Sequence, residues 1–262
     1  MDIPGLSQAG HRRRALKADP AAQLALLDLQ ELDARADQLR HQRETLPELA
    51  EIATVTSGRA ELDGRRRDAQ IAVDDLTAEQ AKVDADVELV KTRRKRDQDR
   101  MDQGLIANPK DLEHMQGELE SLQRRITSLE DDELEVMARL EDAQKDLDSL
   151  TQQVADADER LAELSSARDR KTQVLDETLA SVAAERGPAV AGIPDDLLAL
   201  YDRLRASKNG VAVGALRARE CTGCRLSLDP SELAAIRSAP EDEVIRHEEC
   251  QRILVRTPES GL

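Results

Sequence analysis

The sequence predicts a mainly α protein, a long antiparallel coiled-coil hairpin followed by a small β-rich ribbon. Three observations carry this reading. Apolar residues recur with alternating steps of three and four along two long stretches, a Gly-Asn-Pro turn joins the stretches, and two equally spaced donor pairs close the chain.

Composition agrees with a seam rather than a globular core. Of 262 residues, 35% are charged, Phe and Trp are absent, and Tyr201 is the only aromatic. Aromatic side chains usually supply much of a core's buried area, so burial has to come from Leu, Val, Ile and Ala along a narrow line. The net charge of -16 excludes a protein that coats nucleic acid with its whole surface, and any such contact has to be a local patch. High charge also marks disorder, but the regularity of the apolar positions argues against that.

Residues 1–20 lack periodicity and are expected to form a flexible leader, whose polar first part ends in the basic run His11–Arg14. No apolar signal core follows that run, and no stretch of eighteen apolar residues exists to span a membrane. A cytoplasmic protein is expected. Its cysteines would be reduced, which favours metal binding over a disulfide.

The hairpin is expected over residues 21–187. Helical spacing begins with Leu24, Leu27, Leu32, Ala36 and Leu39 and blurs between Pro47 and Gly64, where a bend or break is expected. It returns at Ala69, Val73, Leu76, Gln80, Val83, Val87 and Val90. The second helix carries the longer seam, from Leu112 and Met115 through Ile126, Glu133, Leu140 and Leu147 to Leu164. A period of 3.5 held this long requires a partner helix and a left-handed supercoil.

The tip is expected over residues 102–109. Gly104 suits a helix end and Asn108 suits a cap, with Pro109 at the first helical position. A short connection makes the helices antiparallel neighbours, and the expected register sets Val90 near Met115 and Leu24 near Val182. A parallel dimer of long helices is the alternative, which the central turn disfavours; dimerisation of the whole hairpin stays open. Gly187-Pro188 is expected to end the second helix.

Residues 188–262 change character. A short helix through Leu197, Tyr201 and Leu204 should close at Asn209-Gly210, and Val211–Leu216 reads as a strand. Asp229, Pro230 and Glu232 open another short helix, and strands at Val244–Arg246 and Ile253–Val255 flank the last donor pair.

Cys221-Thr222-Gly223-Cys224 and His247-Glu248-Glu249-Cys250 each separate two donors by two residues. Four ligands in two equal pairs describe a tetrahedral Cys3His zinc site. The bland readings are small core cysteines and a solvated histidine, but His247 mirrors Cys221 in its pair. A ribbon without aromatics cannot stabilise itself by burial, and a structural zinc contributes on the order of 10 kcal/mol. All four positions are filled by protein, so one structural Zn2+ is expected and no catalytic one.

At these residues the sequence resembles a known family, bacterial proteins with an N-terminal helical hairpin and a C-terminal C4-type zinc ribbon. The resemblance rests on Cys221–Leu228, His247–Leu254 and the tip segment Asn108–Leu112. It departs from the family in having His247 where a fourth cysteine is typical. The resemblance implies nucleic-acid binding, with some members acting through protein partners in gene regulation.

Two groups of basic residues are candidate contacts. Around the metal ligands stand Arg217, Arg219, Arg225, Arg246, Arg252 and Arg256; near the tip stand Lys91, Arg93, Arg94, Lys95 and Arg96. Arginine pairs with phosphate, although acidic residues match it in number here and no aromatic offers a stacking platform. Two functions follow: an RNA- or DNA-binding zinc-ribbon protein, or a protein-protein adaptor or chaperone-like scaffold that holds a regulatory partner with its coiled-coil rod and basic tip. No glycine-rich phosphate loop or nucleophile elbow is present, so no enzyme is expected.

Overall fold

The computed structural model describes residues 16–262. The expected leader lies outside the described residues as far as residue 15, and its last part is not loose. Val244 N–H donates to the Leu16 carbonyl at 2.9 Å and Ala18 N–H to that of Asp242 at 2.8 Å. Ala18 is buried with Leu16 against it, so apolar contact holds the chain before its first helix begins.

Helix α1 (Pro20–Glu44) is capped by Asp19, whose carboxylate takes the Ala21 N–H at 2.7 Å. It ends where the Thr45 N–H and hydroxyl both bond the His41 carbonyl, at 3.0 and 2.7 Å. Helix α2 (Pro47–Asp102) then starts on a proline. The break therefore falls just before Pro47, not within 47–64. Proline cannot donate to the preceding turn but is well suited to a first position, and Thr54–Gly58 stay helical.

At the tip, Gly104 takes φ +66. Its N–H bonds the Met101 carbonyl at 3.0 Å, and the Leu105 N–H bonds that of Arg100 at 3.2 Å, a Schellman closure. The Asn108 side chain caps α3 (Pro109–Val190) through the Lys110 N–H at 3.0 Å. That helix runs through Gly187-Pro188, where it was expected to stop. A proline so near a helix end removes a single donor, and the helix closes two residues later.

The chain divides into two compact units, Pro47–Ala167, and the remainder formed by α1 through Leu46 with Arg168–Leu262. The second of these units holds the base of the hairpin together with the ribbon.

Within Pro47–Ala167 the seam lies where the heptads place it. Val73 and Val87 of α2 and Leu119, Leu122, Ile126, Leu129, Val136, Leu147, Leu150, Val154 and Leu164 of α3 are buried. Ion pairs cross the seam, including Arg93–Glu118 (2.6 Å), Lys91–Glu130 (2.8 Å), Arg139–Glu79 (3.3 Å) and Arg59–Asp158 (2.9 Å). Exposed pairs contribute about 0–1 kcal/mol each, so they report the register more than they hold it. They also correct it. Val90 lies between the levels of Glu118 and Glu130, about three turns past Met115. Likewise Val182 lines a small cavity with Leu32 and Ala36, about three turns from Leu24. An antiparallel pair must match distances from its turn on both arms, which the expected register did not.

The other unit is built around α1, α4 (Asp195–Ser207) and a sheet of β1 (Val213–Arg217), β2 (Glu220–Cys221), β3 (Ile245–Arg246) and β4 (Ile253–Arg256), with α5 (Pro230–Ser238) between β2 and β3. Strand order is β2-β1-β4-β3, with β1 and β4 parallel. Leu26 and Leu29 of α1 pack with Leu197 and Tyr201 of α4 and Val213, Ile253 and Val255 of the sheet. A second cluster, Leu216, Cys221, Leu228, Ile236 and Leu254, lies under the donor pairs.

The sole aromatic anchors a polar knot in this core. The Tyr201 hydroxyl donates to Asp33 at 2.9 Å, and Arg186 Nε reaches the other Asp33 oxygen at 2.9 Å. Arg205 approaches Asp33 at 3.4 Å and pairs with Asp37. Asp33 is buried, so its charge is held by these partners from α3 and α4.

Candidate metal centre

The two donor pairs sit on two loops with the same backbone. In the first, the Arg225 N–H bonds the Cys221 carbonyl at 2.7 Å and the Cys221 N–H bonds that of Leu226 at 3.0 Å. In the second, the Gln251 N–H bonds the His247 carbonyl at 2.8 Å and the His247 N–H bonds that of Arg252 at 3.0 Å. Arg225 (φ 60) and Gln251 (φ 61) both turn left-handed after the second donor. His247 therefore occupies the place in its loop that Cys221 occupies in the other.

The donors converge. Ligand atoms of Cys221, Cys224, His247 and Cys250 all lie within 4.8 Å of one another. His247 Nδ1 stands 3.3 Å from Cys224 Sγ and 3.1 Å from Cys250 Sγ. Zinc–sulfur and zinc–nitrogen bonds in a tetrahedron bring neighbouring donors to about 3.3–3.8 Å, and the two His247 contacts come within a few tenths of an ångström of that range. Three thiols and one imidazole are zinc's preferred chemistry, and Cys221 and His247 are fully buried. Burial pushes the Cys221 thiol up to about 12. Burial opposes ionisation of Cys250 as well, but the Arg252 backbone N–H, His247, the Arg252 side chain and Cys224 outweigh it and bring that thiol to about 7. A divalent cation supplies the charge that lets such a buried set lose its protons.

Two features of the site were not expected from the sequence. Gly223 serves through its size and not through a turn of positive φ: a Cβ there would stand 3.0 Å from Arg252 Cδ. Gly214 in β1 is tighter, since a Cβ would lie 2.6 Å from Gly223 N and 3.2 Å from Cys221 Sγ. The second feature is Glu232, read as a capping residue of α5. Its carboxylate is buried; one oxygen accepts the Glu248 N–H at 2.8 Å and the other faces His247 Nε2 at 3.7 Å.

Five of the six arginines around the site bond other groups of the chain, although Arg217, Arg219, Arg225 and Arg246 are exposed. Arg256 donates to the carbonyls of Ala239, Pro240, Glu241 and Glu243, and Arg252 to those of Val211 and Lys208. Arg246 bonds the Gln251 carbonyl, Arg219 that of Gly261, and Arg217 pairs with Glu259. Arg225 is exposed beside its loop. Near the tip, Arg93 and Arg96 both approach the buried Asp97, Lys91 and Arg93 pair across the seam, and Arg94 is itself half-buried; Lys95 is exposed. Short strands and loops leave carbonyls that guanidinium groups satisfy, and Arg219, Arg246, Arg252 and Arg256 each donate to at least one.

Fold and site together define a helical-hairpin protein that carries one structural zinc in a C-terminal ribbon. The chain belongs to the CT398-like coiled coil hairpin family, whose domain it matches over residues 29–209, and it matches the C4-type zinc ribbon domain over residues 221–254. It is 35% identical to the uncharacterised protein Rv2229c of Mycobacterium tuberculosis over 92% of this chain and 98% of that one. The uncharacterised protein ML1638 of Mycobacterium leprae is 28% identical over 84% and 94%. A solved structure from Mycobacterium smegmatis superposes with a TM-score of 0.80 at 34% identity, covering 92% of this chain and all of that one. CT398 of Chlamydia trachomatis shares the fold, with a TM-score of 0.66 at 17% identity over 90% and 98%.

Proposed function

We propose that this chain is a non-enzymatic adaptor of the cytoplasm, which holds a regulatory protein partner against its coiled coil while the zinc ribbon stabilises the base. The observation that carries this reading is a groove within the Pro47–Ala167 unit. Leu134 (64% exposed) and Met137 (44%) line it beside Val73, Thr77 and Leu140, with Gln80, Glu141, Gln144, Lys145 and Asp148 supplying its polar part. Single exposed apolar residues are ordinary, but two at adjacent helical positions opening onto seam residues form a surface that a partner helix would bury. The zinc supports a structural role, since protein fills all four coordination positions.

Nucleic-acid binding through the ribbon is the second reading. Exposed Arg225 favours it; the internal bonds of Arg252 and Arg256 and the net charge of -16 weigh against it. The test is affinity capture from nuclease-treated lysate with the wild-type chain and with a Leu134→Glu/Met137→Glu variant. A specific protein retained by the first and lost by the second supports the adaptor. Complexes with RNA or DNA that form at low salt, weaken steeply with added salt and survive the double substitution would replace it.

A further inference from the structure

We infer that Glu232 is a positioning residue for the zinc ligand His247: its carboxylate takes a hydrogen bond from Nε2–H and so commits the imidazole to bind metal through Nδ1. The inference rests on the Cys3His centre described above and concerns the one ligand that departs from four thiolates.

A thiolate needs no orientation beyond its sulfur, whereas an imidazole has two nitrogens, and whichever does not bind metal carries a hydrogen that must go somewhere. His247 is fully buried, with Nδ1 facing Cys224 and Cys250. Its Nε2 is buried and makes no hydrogen bond. Leaving a ring N–H unpaired there would be costly. Glu232 Oε2 stands 3.7 Å away, a distance that a small tightening of the loop turns into a hydrogen bond.

Glu232 is also placed as an acceptor should be. It is the third residue of α5, after the Asp229 cap. A capping-box glutamate would turn back to the cap's own N–H; this one reaches across to the second loop, where Oε1 takes the Glu248 N–H at 2.8 Å. The start of α5 favours its negative charge, and Oε2 is left for the histidine. Carboxylate–histidine–zinc relays of this kind orient the ring and raise its basicity as a ligand.

The test compares zinc affinity, by competition with a chromophoric chelator, in the full-length wild type, Glu232→Gln, His247→Cys and the double variant. Glutamine can accept from Glu248 or from His247 but not from both with the strength of a carboxylate. Glu232→Gln is expected to weaken zinc binding about 10–100-fold when residue 247 is histidine. It is expected to cause no loss when that residue is cysteine, whose side chain has no N–H to donate. Equal losses in both backgrounds would overturn the inference, because Glu232 would then act on the fold through Glu248; so would no loss in the histidine background. A second readout is independent of the cysteine variant. Proton–nitrogen spectra of the zinc-loaded wild type should show His247 metallated at Nδ1 with a slowly exchanging Nε2–H, and metal on Nε2 would refute it.

Discussion

Replacing Gly214 with alanine probes the packing of the metal centre at a residue that is not a ligand. The added Cβ would stand 2.6 Å from Gly223 N, 3.0 Å from Gly223 Cα and 3.2 Å from Cys221 Sγ. Relief requires the β1 strand and the Cys221–Cys224 loop to separate by roughly 0.8 Å to reach ordinary contact. Neither side is free to move. Thr222 ties the loop to β1 twice, accepting the Ala215 N–H at its hydroxyl (2.8 Å) and donating its own N–H to the Ala215 carbonyl (3.0 Å). Overpacking of this kind costs about 1–3 kcal/mol, and loss of one of those bonds adds about 1 kcal/mol. If half of that falls on the metal-bound state, zinc affinity drops on the order of tenfold. Chelator competition and thermal unfolding of the zinc-loaded protein measure both effects. Gly223→Ala is the control, since its Cβ meets the flexible Arg252 side chain and should cost less. Wild-type affinity and melting temperature in Gly214→Ala, or a larger loss in Gly223→Ala, would refute the reasoning.

Three further outcomes are expected. Zinc binding at neutral pH should release protons and tighten as pH rises, because Cys221 holds its proton up to about 12 and Cys250 to about 7 in the metal-free protein; calorimetry in buffers of different ionisation enthalpy counts them. Asp33→Ala leaves Arg186, Arg205 and the Tyr201 hydroxyl without their shared acceptor and should destabilise the protein by about 3–5 kcal/mol in urea unfolding, against about 1 kcal/mol for Tyr201→Phe. Gly117→Ala should stabilise it by about 0.5–1 kcal/mol, because that glycine lies within α3, is exposed and has nothing within 4 Å of an added Cβ.

How much of this could be read beforehand depended on whether the signal was local. The heptads were: every seam position from Ala69 to Val90 and from Leu112 to Leu164 is buried or half-buried, Gln80 and Glu133 included. So were the tip, the Asp229 cap and the four zinc ligands, each of which repeats a short motif whose geometry has one good solution. Register was less legible, because identical heptads slide past one another with little change in burial and only the distance to the turn fixes them. The break before Pro47 and the passage through Pro188 turn on one missing donor at opposite ends of a helix, where proline acts in opposite senses. Glu232 was visible only as a cap, since its partners lie on a loop fifteen or more residues away that has no periodic relation to α5.

The arginines show the limit of composition most clearly. In a sequence, Arg225 and Arg252 flank ligands in equivalent places and look equally available for phosphate. In the fold they differ completely. The first donor pair is followed by an exposed turn, so Arg225 faces solvent, whereas Arg252 lies at the start of the approach to β4 beside the carbonyls of Val211 and Lys208, which no strand partner satisfies. A ribbon with only short strands leaves many such carbonyls, and five-donor guanidinium groups are the side chains best able to collect them. The same shortage of sheet ties Arg219 and Arg246 to the chain's own backbone even though both are exposed. A small zinc ribbon rich in arginine is therefore weak evidence for a phosphate-binding surface, because guanidinium groups that donate to the chain's own carbonyls keep fewer donors for phosphate.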